Sequence, residues 1–407
     1  MKNIENTTTE MGIFIKSYIK ELKLITHDIG IILFLMFLPL AYPIIYSLIY
    51  NPEQVRDVKM VVVDHDRSAL SRELVRNLDA TQEIRIIGYA ADLGEGKHAM
   101  NSHKCYGILE IPEGFERKVG RGESSPAVLY SEMSLLLRYR GFLVATTNVA
   151  QAMGSEILTE KIIENAPLAE TLVTGDPLGV QNVAMGNLES GFDSFIMPGV
   201  LVLILQQCLV LAVGMTGGAK REKTWQFADI DRATAGGTFK SIAGGALAYL
   251  TVIIVPCIYM LHYVPMMFRF PMAGNPWEIQ VFILPMVIGS IALGMIFQAA
   301  CRERESVFVL WVVTSVAFLF LSGLTWPRYA MAPFWKCLSD LVPATFGVEG
   351  FIRMNTNGAT LAQVSGDYIA LWIQAGAYSL IAFLVQRFYV MPSRIKALKD
   401  PGRVAIP

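Results

Sequence analysis

The chain has 407 residues, of which 53% are hydrophobic and 17% charged, whereas a soluble domain carries about 25% charge. The apolar excess lies in a few long charge-free runs, which excludes a cytosolic enzyme, a secreted disulfide scaffold and a disordered chain. The net charge is −1 and no basic patch stands out, so nothing points to nucleic acid.

In chain order, the first predicted element is an amphipathic helix within residues 1–28. Met11, Phe14 or Ile15, Tyr18, Leu22 and Ile25 recur at helical spacing, with Lys16, Lys20 and Lys23 mostly between them. This pattern suits a helix lying on the inner membrane surface; the alternative is a frayed lead-in helix. Ile29–Tyr50 follows, 22 residues without a charge, long enough to cross a bilayer core. It is too long for the apolar core of a signal peptide, and no small-residue cleavage site follows.

Residues 51–194 form a long polar stretch. Val58–Asp64 is a β-branched, strand-like run, and Asp66 or Ser68 can cap a helix through Leu78. Glu83–Tyr89 alternates like a second strand. A helical stretch near Ala91–Ser102, a strand at Cys105–Ile111 and a fourth candidate at Ala127–Tyr130 follow. The β-α-β-α-β order predicts a small α/β domain. Glu132 to about Asn165 reads as a helix. Its uncharged middle, Gly141–Met153, is too short to span and is expected to pack on the domain. Leu178–Asp193 reads as a linker back to the membrane.

Five further apolar runs lie at about Phe195–Thr216, Ser241–His262, Ile279–Ala300, Ser306–Trp326 and Tyr368–Gln386. The predicted fold is therefore an α-helical membrane protein with six transmembrane helices. An extracytoplasmic α/β domain is inserted between helices 1 and 2. Helices 2–6 occupy 195–388, and a tail covers 389–407. Lysine and arginine set the orientation. Sixteen fall in residues 1–28, 217–240, 301–305 and the tail from Arg387, against four (Arg269, Arg328, Lys336, Arg353) in the opposite short loops. Both termini are expected in the cytoplasm and residues 51–194 outside.

Chemical motifs are sparse. There is no phosphate-binding G-x-x-x-x-G-K-[ST]; Gly236–Ser241 is only a fragment of one. No H-E-x-x-H or G-x-S-x-G occurs. The five cysteines lack C-x-x-C spacing. His98, His103 and Cys105 fit no zinc spacing, and Asp64-His65-Asp66 reads as a strand end with a helix cap. No catalytic residue, metal or cofactor is expected on this chain. The spans hold no Asp, Glu, Lys or Arg and no central His; Gln206, Gln207 and Gln298 are their strongest polar groups. A coupled carrier usually needs ionisable groups at the midplane. Energy for transport is therefore expected from a separate ATPase, which would carry the ATP and Mg.

Residues Ser322–Arg353 read SGLTWPRYAMAPFWKCLSDLVPATFGVEGFIR. This resembles the signature of type-2 ABC exporter permeases. Ser-Gly at the end of the fifth span leads to Pro327, Met331-x-Pro333, then Pro343-x-Thr345, Glu349 and Arg353. VKMVVVDHDRS and YGILEIPEGFERKV are similar to recurring parts of the external domain in members with this layout. The resemblance implies a re-entrant helical hairpin near 327–354, with Gly323, Pro327, Pro333, Pro343, Glu349 and Arg353 as its signature residues. The prolines interrupt helix continuation, and Glu349 and Arg353 stand at i,i+4, where they can pair. It also implies that Arg221, Glu222, Lys223, Thr224 and Trp225 dock an ABC ATPase subunit, although relatives have Gly-Thr after the charged group where this chain has Thr224-Trp225. The other reading of that loop is a positive-inside turn with an interfacial tryptophan. A second permease subunit, identical or paralogous, is implied. So is a substrate surface along the dimer axis lined by Gln206, Gln207 and Gly214. Tripartite efflux systems of similar layout imply a periplasmic adaptor and an outer-membrane channel. The expected function is outward, ATP-driven movement of an amphipathic or hydrophobic substrate. The alternative is a membrane-anchored receptor or scaffold that binds through its external domain and transports nothing.

Overall fold

The computed structural model describes residues 2–50, 55–133, 136–165, 191–224, 235–301 and 304–392. The chain divides into two compact units, residues 1–51 with 184–407, and residues 52–183.

The first unit begins with helix α1 (Lys2–His27). Asp28 ends it and starts the next helix, its Oδ1 accepting from the amides of Gly30 at 3.2 Å and Ile31 at 3.4 Å. Such a cap satisfies amides that a helix start leaves unpaired. Helix α2 (Ile29–Tyr50) is the first of five helices among the described residues that are long and apolar enough to cross a membrane.

The second unit is built on a four-stranded sheet. Its elements are β1 (Val58–Asp64), α3 (Ala69–Asp79), β2 (Ile84–Tyr89), α4 (Leu93–Asn101), β3 (Gly107–Ile111), α5 (Phe115–Gly120), β4 (Val128–Ser131) and α6 (Leu136–Asn165). The strand order is β2-β1-β3-β4. β1 pairs in parallel with β2 and β3, and β4 runs antiparallel to β3. β1 is central and buried on both faces, which explains its continuous apolar run. α6 lays Phe142, Ala145, Val149 and Met153 into this unit's core. The contact needs Gly107: a Cβ there would lie 2.8 Å from the Phe142 ring.

The first unit resumes with α7 (Phe192–Thr224), α8 (Ala235–Phe268), α9 (Pro276–Ala300) and α10 (Arg304–Leu321). Two short helices follow, α11 (Pro333–Ser339) and α12 (Pro343–Asn357), and then α13 (Ser365–Val390). α7 is the central helix: 89% of its most apolar stretch is buried, against 22% for α2 and α13. The other three of the five long apolar helices are α8, α9 and α13.

Two expectations shift here. α10 is apolar over Ser306–Leu321 only and is not among the five long spans. Its 18 residues reach about 27 Å against a hydrocarbon core of about 30 Å. The apolar run continues to Trp326, but the helix stops at Ser322-Gly323, where Gly323 takes φ +84° and turns the chain. α7 departs the other way. Its apolar run ends at Thr216, yet the helix continues to Thr224 through residues with no glycine or proline after Gly218.

Candidate functional site

Two polar assemblies lie along α7. The first is built from Ser322–Arg353. Pro327 precedes a single 3-10 turn at Arg328–Ala330, and Pro333 and Pro343 occupy the first turns of α11 and α12. Proline is tolerated there because that amide has no helical partner. α12 is buried through Ala344, Thr345, Val348, Phe351 and Met354. Gly347 faces Met286 of α9, and Gly350 the Phe282 ring, so closely that neither place has room for a Cβ. α11 is exposed, with Phe334 and Trp335 on its surface.

Arg328 fastens this segment. Its Nη1 donates to Glu349 Oε2 of α12 at 2.6 Å, and its Nη2 pairs with Asp340 just after α11. Its guanidinium also lies 4.7 Å over the Phe346 ring. Its side chain is only 16% exposed. Glu349 and Arg353 therefore do not pair with each other. Arg353 donates to Asp367 at 3.2 Å and to the Gln363 carbonyl at 3.1 Å. An i,i+4 pair is worth only about 0.2–0.5 kcal/mol. A half-buried arginine from another element, already oriented by Phe346, outcompetes it for Glu349.

Hydroxyls close the end of α10. Ser339 Oγ donates to the Leu321 carbonyl at 2.7 Å, and Thr345 Oγ1 approaches the same oxygen at 3.5 Å. Helix C-termini leave such carbonyls unpaired. This gives Thr345 of the proline-x-threonine motif a physical role.

Gln206 and Gln207 do not lie on an open surface. Both are buried within one subunit, as is Gly214, which packs on Val307 of α10. Gln206 Oε1 accepts from the Ala344 amide at 2.6 Å and so caps α12 from a distance. α10 covers Gln207, whose backbone carbonyl accepts from Trp311 Nε1 at 3.1 Å. The side-chain amide of Gln207 and Nε2 of Gln206 are buried without a hydrogen-bond partner. Unpaired buried amides cost about 1–3 kcal/mol each.

The second assembly lies about 21 Å further along α7, from Gln206 to Lys220 at 1.5 Å per residue. Lys220 Nζ meets Glu21 Oε1 of α1 at 2.6 Å, and Tyr249 OH of α8 donates to the same oxygen at 3.0 Å. Thr216 Oγ1 lies 2.6 Å from Tyr249 OH. α1 presents Ser17, Glu21 and Ile25 as its buried face and leaves Ile15 and Ile19 exposed. Tyr18 and Leu22 of its apolar stripe pack against the helices beside Ile25, so the stripe and the Ser17–Glu21 edge together make the packed side. The fit depends on Gly244 of α8, where a Cβ would stand 2.5 Å from the Phe14 carbonyl. Arg221, Glu222, Lys223 and Thr224 continue α7 directly from this cluster. Trp225 lies outside the described residues.

In the second unit, Asp64 Oδ1 accepts from the Asp66 and Arg67 amides at 3.0 and 2.9 Å, and Ser68 caps α3. Asp66 Oδ2 accepts from the Glu116 amide at 3.0 Å. The bond from Ser68, then that amide, holds the Asp66 carboxyl below the usual carboxylate range. Among the described residues no histidine, cysteine or carboxylate group is arranged to hold a metal.

The family model described as ABC-2 family transporter protein matches residues 29–384, from the start of α2 nearly to the end of α13. The chain belongs to the ABC-2 transporter family. No curated protein matches it. The ABC-2 match takes in the Ser322–Arg353 assembly and Lys220, and it stops short of α1. Membership makes the chain a membrane subunit of the ABC transporter kind, with a transport role. Arg328 is the residue the sequence reading missed. It entered only as a loop charge, although it stands between two signature prolines with acidic residues 12 and 21 positions on.

Proposed function

We propose that this ABC-2 protein is the permease subunit of an ATP-driven exporter. Two permease subunits would work with two ATPase subunits to move an amphipathic or hydrophobic substrate outward. The observation that carries the reading is the continuity of α7. One rigid helix joins the Gln206 cap on α12 to the Lys220 cluster and runs on into Arg221–Thr224. An ATPase that grips the segment from Arg221 to Trp225 would then pull on the signature helices without an intervening loop.

The same reading assigns the topology. α10 serves as a sixth, short span, both termini lie in the cytoplasm of the bacterial inner membrane, and the α/β unit lies in the periplasm. A periplasmic adaptor and an outer-membrane channel are the corresponding outer partners. The substrate path runs along the seam between α7 and α10. Moving α10 aside uncovers Gln207, whose unpaired amide is then available to a polar group of the substrate.

The test is co-purification from native membranes in mild detergent, with the eluate assayed for ATP hydrolysis. The parent protein is expected to bring an ATPase with it. Glu222→Ala and Trp225→Ala are expected to release it. Absence of ATPase activity in every detergent tried, with the permease intact, sinks the proposal.

A further inference from the structure

The charged side chains of α1 are sorted to opposite sides of the helix. Across residues 12–27 the single acidic residue is Glu21, which is buried against Lys220 and Tyr249. Asp28, just past the helix end, is buried as well, its carboxylate held by the amides that start α2. Lys16, Lys20, Lys23 and His27 are all exposed. They recur at i, i+4, i+7 and i+11, which is one stripe along a helix. Among the described residues, Lys16 and Lys23 have no ion-pair partner. Beside this stripe Ile15 and Ile19 stand exposed, one turn apart. The outer side of α1 is thus a basic edge next to an apolar edge, with no acidic group between them.

A second observation, independent of α1, says what lies against that side. Ile29, Leu33 and Phe37 of α2 are exposed at every fourth residue, Ile29 at 85%. α2 is one of the helices long and apolar enough to cross a membrane, so hydrocarbon covers this row. The row begins one residue after Asp28, where α1 gives way to α2. A lipid whose chains lie on Ile29 and Leu33 therefore has its headgroup level with the last turn of α1, which carries Lys23 and His27. Lysine stems run along apolar surface and lift the ammonium group to the headgroups. A helix with a basic and an apolar edge of this kind is drawn to anionic lipid.

We infer that the outer side of α1 is a binding site for anionic phospholipid headgroups, with Lys16, Lys20 and Lys23 as the cationic contacts. Ile15, Ile19 and the Ile29 row meet the acyl chains. A lysine close to an anionic membrane surface contributes about fivefold in affinity, whereas a zwitterionic headgroup offers it no net charge. The family match begins at residue 29, so the lysines lie in a part of the chain that the match does not cover. The inference rests on the proposed topology only for the leaflet, the cytoplasmic one, and it does not depend on transport.

The experiment uses the full chain in phosphatidylcholine nanodiscs doped with a phosphatidylglycerol that carries a diazirine on its acyl chain. A phosphatidylcholine with the same diazirine chain, at the same mole fraction, is the neutral control. Adducts are mapped by mass spectrometry after peptic digestion. Both leaflets hold the probe, so the outcome does not turn on which side α1 lies, and a wrong topology is detected separately by thiol accessibility. The anionic probe is expected to label residues 15–37 at least about fivefold more than the neutral one. Raising the salt about tenfold is expected to shrink that preference. Lys16→Gln/Lys20→Gln/Lys23→Gln is expected to abolish it, and the matching triple arginine variant to keep it. Amide exchange over residues 13–27 reports whether α1 stays docked in each variant. Equal labelling by the two probes overturns the inference. So does a preference that survives in the docked glutamine variant, or absence of adducts from residues 15–37, which would mean that protein covers this side. If the glutamine variant lifts α1, the parent decides: a preference that salt leaves unchanged also overturns the inference.

Discussion

Arg328 joins three pieces of backbone that no hydrogen-bond ladder joins: the 3-10 turn, the end of α11 and the body of α12. Removing its charge costs two ion pairs and the contact with Phe346 at a largely buried side chain, and leaves the partly exposed carboxylates of Asp340 and Glu349 facing each other. Arg328→Gln is expected to cost about 2 kcal/mol of stability. Arg353→Gln is expected to cost under about 1 kcal/mol, because Arg353 is 46% exposed and its ion pair is screened. Thermal unfolding of both variants in one detergent checks the ranking, and equal losses would contradict it. At this scale the sequence shows which residues matter better than what they touch. The prolines and Thr345 are legible as a motif. The partners of Glu349 and Arg353 are not, because both lie far along the chain or beyond a turn. Gln206 shows the same limit. As a polar residue in a span it reads as a pathway group, yet its carbonyl oxygen is spent on capping α12.

Helices and strands were easier to read than their ends and their packing faces. The strands at Val58–Asp64 and Ile84–Tyr89 and the cap at Ser68 follow from β-branched runs and a local turn signal. The limits of α7 and α10 do not follow from hydropathy, since a helix ends where its backbone turns and not where charge begins. The buried face of α1 is the sharper case. Periodicity points to its apolar stripe, and Tyr18, Leu22 and Ile25 do pack on the core, but the same side also carries Ser17 and Glu21 where Gly244 and Gly245 of α8 approach, which periodicity does not show. Gly244→Val is therefore expected to lift α1 and raise amide hydrogen exchange over Ile13–His27. Gly236→Val, at a site with open space, is expected to leave that exchange unchanged. Equal exchange in the two variants would show that α1 does not depend on this contact.

For the whole molecule, the family match and the apolar helices establish a membrane transport subunit, and the proposed topology makes α10 a span. In a cysteine-free background, Ser124→Cys is expected to react with an impermeant maleimide on intact spheroplasts. Lys16→Cys and Lys399→Cys are expected to react only after lysis. Reaction of Lys399→Cys before lysis would mean that α10 does not cross. The most direct measurement concerns the seam that the mechanism opens. Gly214 and Val307 face each other across α7 and α10, and a Cβ on Gly214 would lie 3.7 Å from that of Val307. That separation suits a disulfide. In the permease–ATPase complex, oxidising Gly214→Cys/Val307→Cys is expected to lower ATP turnover at least about tenfold, roughly 1.4 kcal/mol on the barrier. Reduction is expected to restore it. Full turnover in the oxidised complex would contradict the account, because ATP would then be hydrolysed without α10 leaving α7.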